Sequence, residues 1–110
     1  MASSTIVSSG AFQTLTLLNG FLNEGSVATP CYRKIGFFVE VRFSVRTTGN
    51  ALDGTIIATL PVGFRPSTRL LYAGVCSTGI ARVDIDEAGN IYKFSGDSSS
   101  FLTISVVFGV

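Results

Sequence analysis

Histidine is absent from the 110 residues. That excludes Ser-His-Asp and Cys-His nucleophilic catalysis and removes the commonest metal ligand. Cysteine occurs twice, as Cys31 and Cys76, with no Cys-x-x-Cys spacing, so no structural zinc site is expected. The pair allows one disulfide, but the composition is not that of a disulfide scaffold, and free thiols acting as small hydrophobes are expected. Charge is also scarce. Charged residues make up 14% of the chain, against about 25% in an ordinary soluble domain. The net charge is +1 and the basic residues are scattered. A nucleic-acid partner needs a basic stripe, and none is present. No apolar run approaches the roughly 20 residues of a membrane span, so no membrane insertion is expected. Met1–Gly10 lacks a basic segment followed by a long apolar one, so it is not read as a secretory signal. No phosphate-cradling Gly-x-x-x-x-Gly-Lys-Ser/Thr motif occurs, and no cofactor is expected.

Apolar residues, by contrast, make up 46%. A chain of this length forms one domain, and that much apolar surface points to partial burial against another subunit. The alternative is an apolar core beneath a Ser/Thr-rich surface. Residues 1–10, with Ser3, Ser4, Ser8 and Ser9, read as a flexible lead-in. They also fit the cut edge of a longer protein with an added start methionine. Residues 11–110 read as the folded domain.

The dominant pattern has period two, and none with period 3.6 persists over a helix length. Over Gly36 to Arg46, Phe37, Val39, Val41, Phe43 and Val45 fall on one face. Phe38, Glu40, Arg42, Ser44 and Arg46 fall on the other, giving one core wall and one wet face. Further strands are expected at Gln13–Leu18, Tyr32–Ile35, Thr55–Leu60, Arg69–Ser77, Gly79–Asp86, Ile91–Ser95 and Phe101–Phe108. Arg69–Ser77 is apolar on both faces, which predicts a central or interface strand. Turns are expected at Asn19-Gly20, Thr47 to Asn50, Asp53-Gly54, Glu87 to Asn90 and Gly96 to Ser100. The spacing predicts an all-β, antiparallel, single-domain sandwich or jelly-roll-like fold of about seven to eight strands.

Few residues carry chemistry. Asp84 to Ser95 fails as a cation loop, because Ala88 and Ser95 stand where oxygen ligands are needed. Glu40 is a single carboxylate on a wet face, whereas glycoside hydrolysis needs two that converge. Arg42 and Arg46 share that face and read as a charged surface that discourages strand addition. The functional alternative for them is an anionic-glycan or intersubunit contact. Tyr72, Tyr92 and Phe38 read as packing residues, with sugar stacking as the alternative. No enzymatic activity is expected.

Several segments in order carry a resemblance. They are Leu15 to Gly20, Tyr32-Arg33-Lys34-Ile35-Gly36 before a long strand, Ile57 to Pro66 with its Leu60-Pro61-Val62-Gly63-Phe64-Arg65-Pro66, and Ala81 to Ile85 before a Gly-Asn turn. Their order resembles the C-terminal receptor-binding head domains of phage and prophage tail-fibre and baseplate proteins, over about residues 13 to 110. The Leu-Pro-x-Gly-Phe-Arg-Pro stretch reads as structural. Pro61 ends ladder pairing, Gly63 permits a bend, Phe64 plugs the sandwich end and Arg65 bonds loop carbonyls.

The resemblance implies a homotrimer at a phage tail tip that binds a host cell-surface saccharide and contacts other tail or baseplate proteins. It also implies synthesis in the host cytoplasm. Such domains often carry a tryptophan near the first and last strands; here Phe21 and Phe101 stand in comparable places and tryptophan is absent. Loops on a rigid scaffold present recognition groups, and on that basis Tyr92, Lys93, Asp97, Arg69 and Tyr72 are the candidate ligand-binding residues. The competing reading is a trimerising or baseplate-decorating domain with no ligand of its own.

Overall fold

The structure, a computed structural model, describes residues 10–110. The expected lead-in lies, Gly10 apart, outside the described residues. Nine strands and no helix occur among them. In chain order these are β1 (Gln13–Thr14), β2 (Leu22–Asn23), β3 (Cys31–Ile35), β4 (Phe38–Arg46), β5 (Thr55–Thr59), β6 (Leu70–Cys76), β7 (Gly79–Ile85), β8 (Asn90–Ser95) and β9 (Leu102–Gly109). All pairings are antiparallel. The sheet order is β1-β3-β4-β9-β6-β7-β8-β5, with β2 beside β4.

This single sheet folds into two halves around one core. Within the first half, β4 pairs β9 from Phe38↔Gly109 to Val45↔Leu102. Strand pairing carries the sheet from one half to the other where β6 meets β9, at Val75↔Thr103 and Cys76↔Leu102. At that corner, a side chain on Gly74 would place its Cβ 2.5 Å from Ile104 Cγ2 and 2.9 Å from the Thr103 carbonyl. Only glycine lets the two backbones approach this closely. The outer ends of the sheet also meet: Leu18 N–H donates to Ile57 O at 2.8 Å, and Asn19 Nδ2 donates to Ile56 O at 2.9 Å. The all-β, antiparallel, single-domain fold expected from the alternation is thus observed.

The inward row of β4, Val39, Val41, Phe43 and Val45, is fully buried. It packs in one cluster with Leu102, Ile104, Val106 and Phe108 from β9 and with Ile57, Leu60, Val83, Ile85 and Ile91 from the other half. Full burial of each such side chain stabilises by about 1.5–3 kcal/mol.

Four expectations change. Phe37 is not on the core face: Gly36-Phe37 is the turn of the β3–β4 hairpin, with Ile35 paired to Phe38, and Phe37 is 78% exposed. Gly36 has φ +58 and Phe37 no positive φ, the pattern of a type II′ turn. The expected strand Gln13–Leu18 pairs as a strand only at Gln13–Thr14; beyond it Leu15 N–H bonds Pro30 O and Leu18 N–H bonds Ile57 O. Leu22–Asn23 is an unforeseen strand. Finally, Ser44 lies on the expected wet face of β4 but is fully buried, beneath Glu24 and Thr103.

The expected central strand is β6, between β9 and β7, with Leu71 and Val75 exposed on its outer side. Both cysteines are free. They lie on β3 and β6, with β4 and β9 between those strands.

The Leu60 to Pro66 motif acts as anticipated. Leu60 is buried, Phe64 packs edge-on to Tyr32 with ring centroids 5.1 Å apart, and Arg65 Nε donates to Leu60 O at 2.8 Å.

Candidate functional site

The outer face of β7 and β8 carries a compact cluster of charge and aromatic rings. In β7 the inward row is Ala81, Val83 and Ile85, so Arg82 and Asp84 face outward. Asp84 is nonetheless fully buried, because two guanidiniums cover it. Arg69, just before β6, donates Nε to Asp84 Oδ2 at 2.9 Å. Arg82 donates Nε to Oδ1 at 2.9 Å and Nη2 to Oδ2 at 3.0 Å. Each guanidinium also rests on a ring of β8, Arg69 4.7 Å from the Tyr92 centroid and Arg82 3.8 Å from that of Phe94. Such contacts add about 0.5–1 kcal/mol at exposed sites.

The β7–β8 turn extends this network. Tyr92 OH donates to Asp86 Oδ2 at 2.8 Å, and Asp86 Oδ1 accepts Ala88 N–H at 3.0 Å and Asn90 N–H at 2.9 Å. Burial pushes the Asp86 carboxyl up, but the Tyr92 hydroxyl and the turn amides outweigh it and hold the pKa below the ordinary aspartate value. The same bond to Asp86, with burial, raises the Tyr92 phenol. The bond to Asp84 raises the Arg69 guanidinium. Each guanidinium thus covers one face of its ring, and a guanidinium carries more N–H donors than these contacts to Asp84 use.

The five residues expected from sequence separate. Arg69 and Tyr92 come together in this cluster. Tyr72 lies on the opposite, inward side of β6 and packs against the core, where burial raises its phenol. Lys93 is 1% exposed and points inward; its Nζ donates to Ala51 O at 2.6 Å and to Asp53 Oδ1 at 2.9 Å. Asp97 Oδ1 accepts Ser99 N–H at 2.8 Å, and hydrogen bonding by the Ser99 side chain and its N–H lowers the Asp97 pKa.

The loop holding Asp97 is pinned by Ser98, which is fully buried and bonds Thr47 Oγ1 at 2.6 Å and Ala51 N–H at 3.0 Å. Sequence reasoning left out Asp84, Arg82 and Phe94 as site residues. The alternation Arg82, Asp84, Asp86 across from Tyr92 and Phe94 was the available indication. Arg42, the alternative anion contact, lies 4.1 Å from the Phe12 ring centroid, and Arg33 lies 4.3 Å from the centroid of the same ring while pairing with Glu40 at 2.8 Å. Phe21 is buried in the core and offers no surface for stacking.

A concavity of about 660 Å³ lies apart from this cluster, lined by Gln13, Lys34, Gly36 and Phe64 among others. Lys34 Nζ sits 5.0 Å over the Phe64 ring there.

No family model matches the chain, and no curated protein does. Among solved structures, the chain is similar to the head domain of phage bIL170, described with the receptor binding domains of lactococcal phages. The TM-score is 0.61 at 14% identity, covering 92% of this chain and 98% of that one. The likeness establishes a shared fold over nearly the whole of both chains.

Proposed function

We propose that the chain is a receptor-binding head domain of a phage tail, attaching the virion to a host cell-surface saccharide as a homotrimer. The observation that carries this reading is the end-to-end fold likeness to the bIL170 head domain. The Arg69–Asp84–Arg82 cluster with Tyr92 and Phe94 supports it chemically. The exposed part of Phe94 and the fixed guanidinium donors suit a sugar ring and its hydroxyls. The domain acts by binding alone, and its neighbours are other tail or baseplate proteins. Trimerisation accounts for apolar side chains left in water, including Phe37 at 78%, Phe38 at 60% and Ile80 at 78% exposure. Three weak saccharide sites on one rigid unit gain avidity without new contacts.

The test is light scattering of the purified chain together with adsorption to a panel of candidate host cells. A trimer that binds cells, and loses binding on combined Arg69→Ala and Tyr92→Ala replacement, supports the reading. A monomer overturns the trimer. A trimer that binds no cell yet assembles into tails favours a purely structural domain.

A further inference from the structure

A second concavity lies where β4, β9 and β6 meet the segment after β2. It encloses about 350 Å³, and its walls include Glu24, Ser44, Thr103, Val27, Val75 and Phe101. Its polar groups form a directed chain. Ser44 Oγ donates to Glu24 Oε1 at 3.1 Å. A serine hydroxyl has one proton to give. The 2.8 Å contact between Ser44 and Thr103 therefore has Thr103 Oγ1 as donor, which leaves the Thr103 lone pairs open.

Glu24 is held in place as well. Ser26 N–H donates to Oε1 at 3.1 Å, and the Ser26 hydroxyl lies 2.6 Å from Oε1 and 2.7 Å from Oε2. One proton serves both of the latter contacts, so Oε2 keeps acceptor capacity. The bonds from Ser26 hold the Glu24 carboxyl below the ordinary glutamate value, so it is charged at neutral pH. Arg46 also acts on Glu24, but from outside the crevice lining.

The crevice thus offers acceptors rather than donors on one side. On the other it offers an apolar wall, with Val27 62% and Val75 59% exposed, beside Phe101. Adjacent hydroxyls of a neutral sugar ring can donate to the acceptors while the ring's C–H face lies on that wall. A carboxylate or phosphate on the sugar would face the Glu24 charge without a lining cation. A few placed polar groups in a mostly apolar cleft are the usual make-up of a small-ligand site.

We infer that the Glu24–Ser44–Thr103 crevice binds a neutral saccharide unit of the receptor, through hydroxyl groups donated to Glu24 and Thr103, and disfavours anionic sugars. The inference rests on the receptor-binding reading and adds a contact separate from the Arg69–Tyr92 cluster.

The test is an amide NMR titration of the full chain with glucose, galactose, N-acetylglucosamine and glucuronate. Cell adsorption is measured in parallel for the wild type, Glu24→Gln and Thr103→Val. Dispersed spectra identify variants that remain folded, and Thr103→Val preserves shape. The expected result is that a neutral sugar shifts the amides of Glu24, Ser26, Ser44 and Thr103. Each variant then weakens that binding at least tenfold, and glucuronate binds at least tenfold more weakly than glucose. No crevice shift with any neutral sugar overturns the inference, as does glucuronate binding equal to glucose. Full cell adsorption by both folded variants also overturns it while leaving the receptor-binding reading intact. Crevice binding by a wild-type chain that adsorbs to no cell instead overturns that reading and keeps the sugar site.

Discussion

Arg69 precedes β6 and Tyr92 lies within β8, yet each is fixed by its own carboxylate and by the other's side chain. Asp84 holds the guanidinium, Asp86 holds the phenol, and the guanidinium rests 4.7 Å from the ring centroid. A ligand bound at this cluster would have to order neither side chain, so less entropy would be lost on binding. The arrangement depends on burying a carboxylate on the outer face of a sheet, which only two covering arginines make tolerable.

Asp84 is therefore the residue whose loss should matter most to the cluster. Removing one partner of a buried ion pair typically costs about 3–5 kcal/mol. Both arginines here are partly in water, with side-chain exposures of 41% and 40%, and solvent screens them. Asp84→Asn is expected to destabilise by about 2 kcal/mol in urea denaturation with an unchanged m-value, and to weaken cell adsorption. A variant as stable as the wild type would mean that the arginines do not depend on this charge.

Much of this was legible in the sequence, for identifiable reasons. The inward row Val39 to Val45 is an alternation that only a half-buried strand explains, and Glu87 to Asn90 names its turn by composition. The Leu60 to Pro66 stretch encodes its own contacts, because Pro61, Gly63 and Arg65 act on near neighbours. What stayed hidden is non-local. Leu22–Asn23 is too short to carry a pattern and is a strand only because β4 runs past β3. Phe37 extends the alternation of β4, but Gly36 beside it permits the turn that ejects it. Lys93 breaks the apolar row of β8, and its partners lie about 40 positions earlier in the chain. Arg69 and Tyr92 could be suspected individually, but the buried Asp84 that joins Arg69 to Arg82 could not.

The Tyr92–Asp86 bond makes stability depend on pH at both ends. The folded-state pKa of Asp86 is below its ordinary 3.8, so this stability is complete above that value and is lost as pH falls through the folded value. The folded-state pKa of Tyr92 is above its ordinary 10.0, so its share is complete below that value and is lost as pH rises through the folded one. Tyr92→Phe removes the shared bond. It is expected to cost about 1.5 kcal/mol at neutral pH, the lower range for a hydrogen bond to a charged group. Melting temperature measured across acid and alkaline pH should fall less steeply at both ends than in the wild type. An unchanged acid limb would assign the Asp86 shift to the turn amides alone.

Gly89 should tolerate substitution worse than a glycine of the same backbone shape elsewhere. Gly89 and Gly54 have φ of +84 and +89. A Cβ on Gly54 meets nothing, while one on Gly89 would lie 2.5 Å from Leu60 O and 2.8 Å from Arg65 Nε. Gly54→Ala carries the left-handed backbone penalty alone, about 1 kcal/mol. Gly89→Ala adds displacement of the Leu60 carbonyl, which also accepts from Arg65, and should reach about 3 kcal/mol in total. Parallel urea denaturation of the two variants measures the difference. Equal costs would show that the β7–β8 turn can shift away from Leu60 freely.

Lys93 provides the sharpest separation of support from recognition. Its ammonium is removed from water and committed to the Ala51 carbonyl and to Asp53, which is itself 69% exposed. Replacement by methionine keeps the length and volume of the stem. It removes the cost of burying a charge, lets Asp53 return to solvent, and leaves the Ala51 carbonyl without its donor. These effects oppose one another, and the unsatisfied carbonyl should prevail by about 1–2 kcal/mol. Lys93→Met is thus expected to lower stability modestly while the folded protein adsorbs to cells as the wild type does. Both quantities should be measured on one preparation, because partial unfolding alone would mimic lost binding. If adsorption disappears from a fully folded variant, the ammonium must leave Ala51 when ligand binds, and Lys93 belongs with the recognition residues after all.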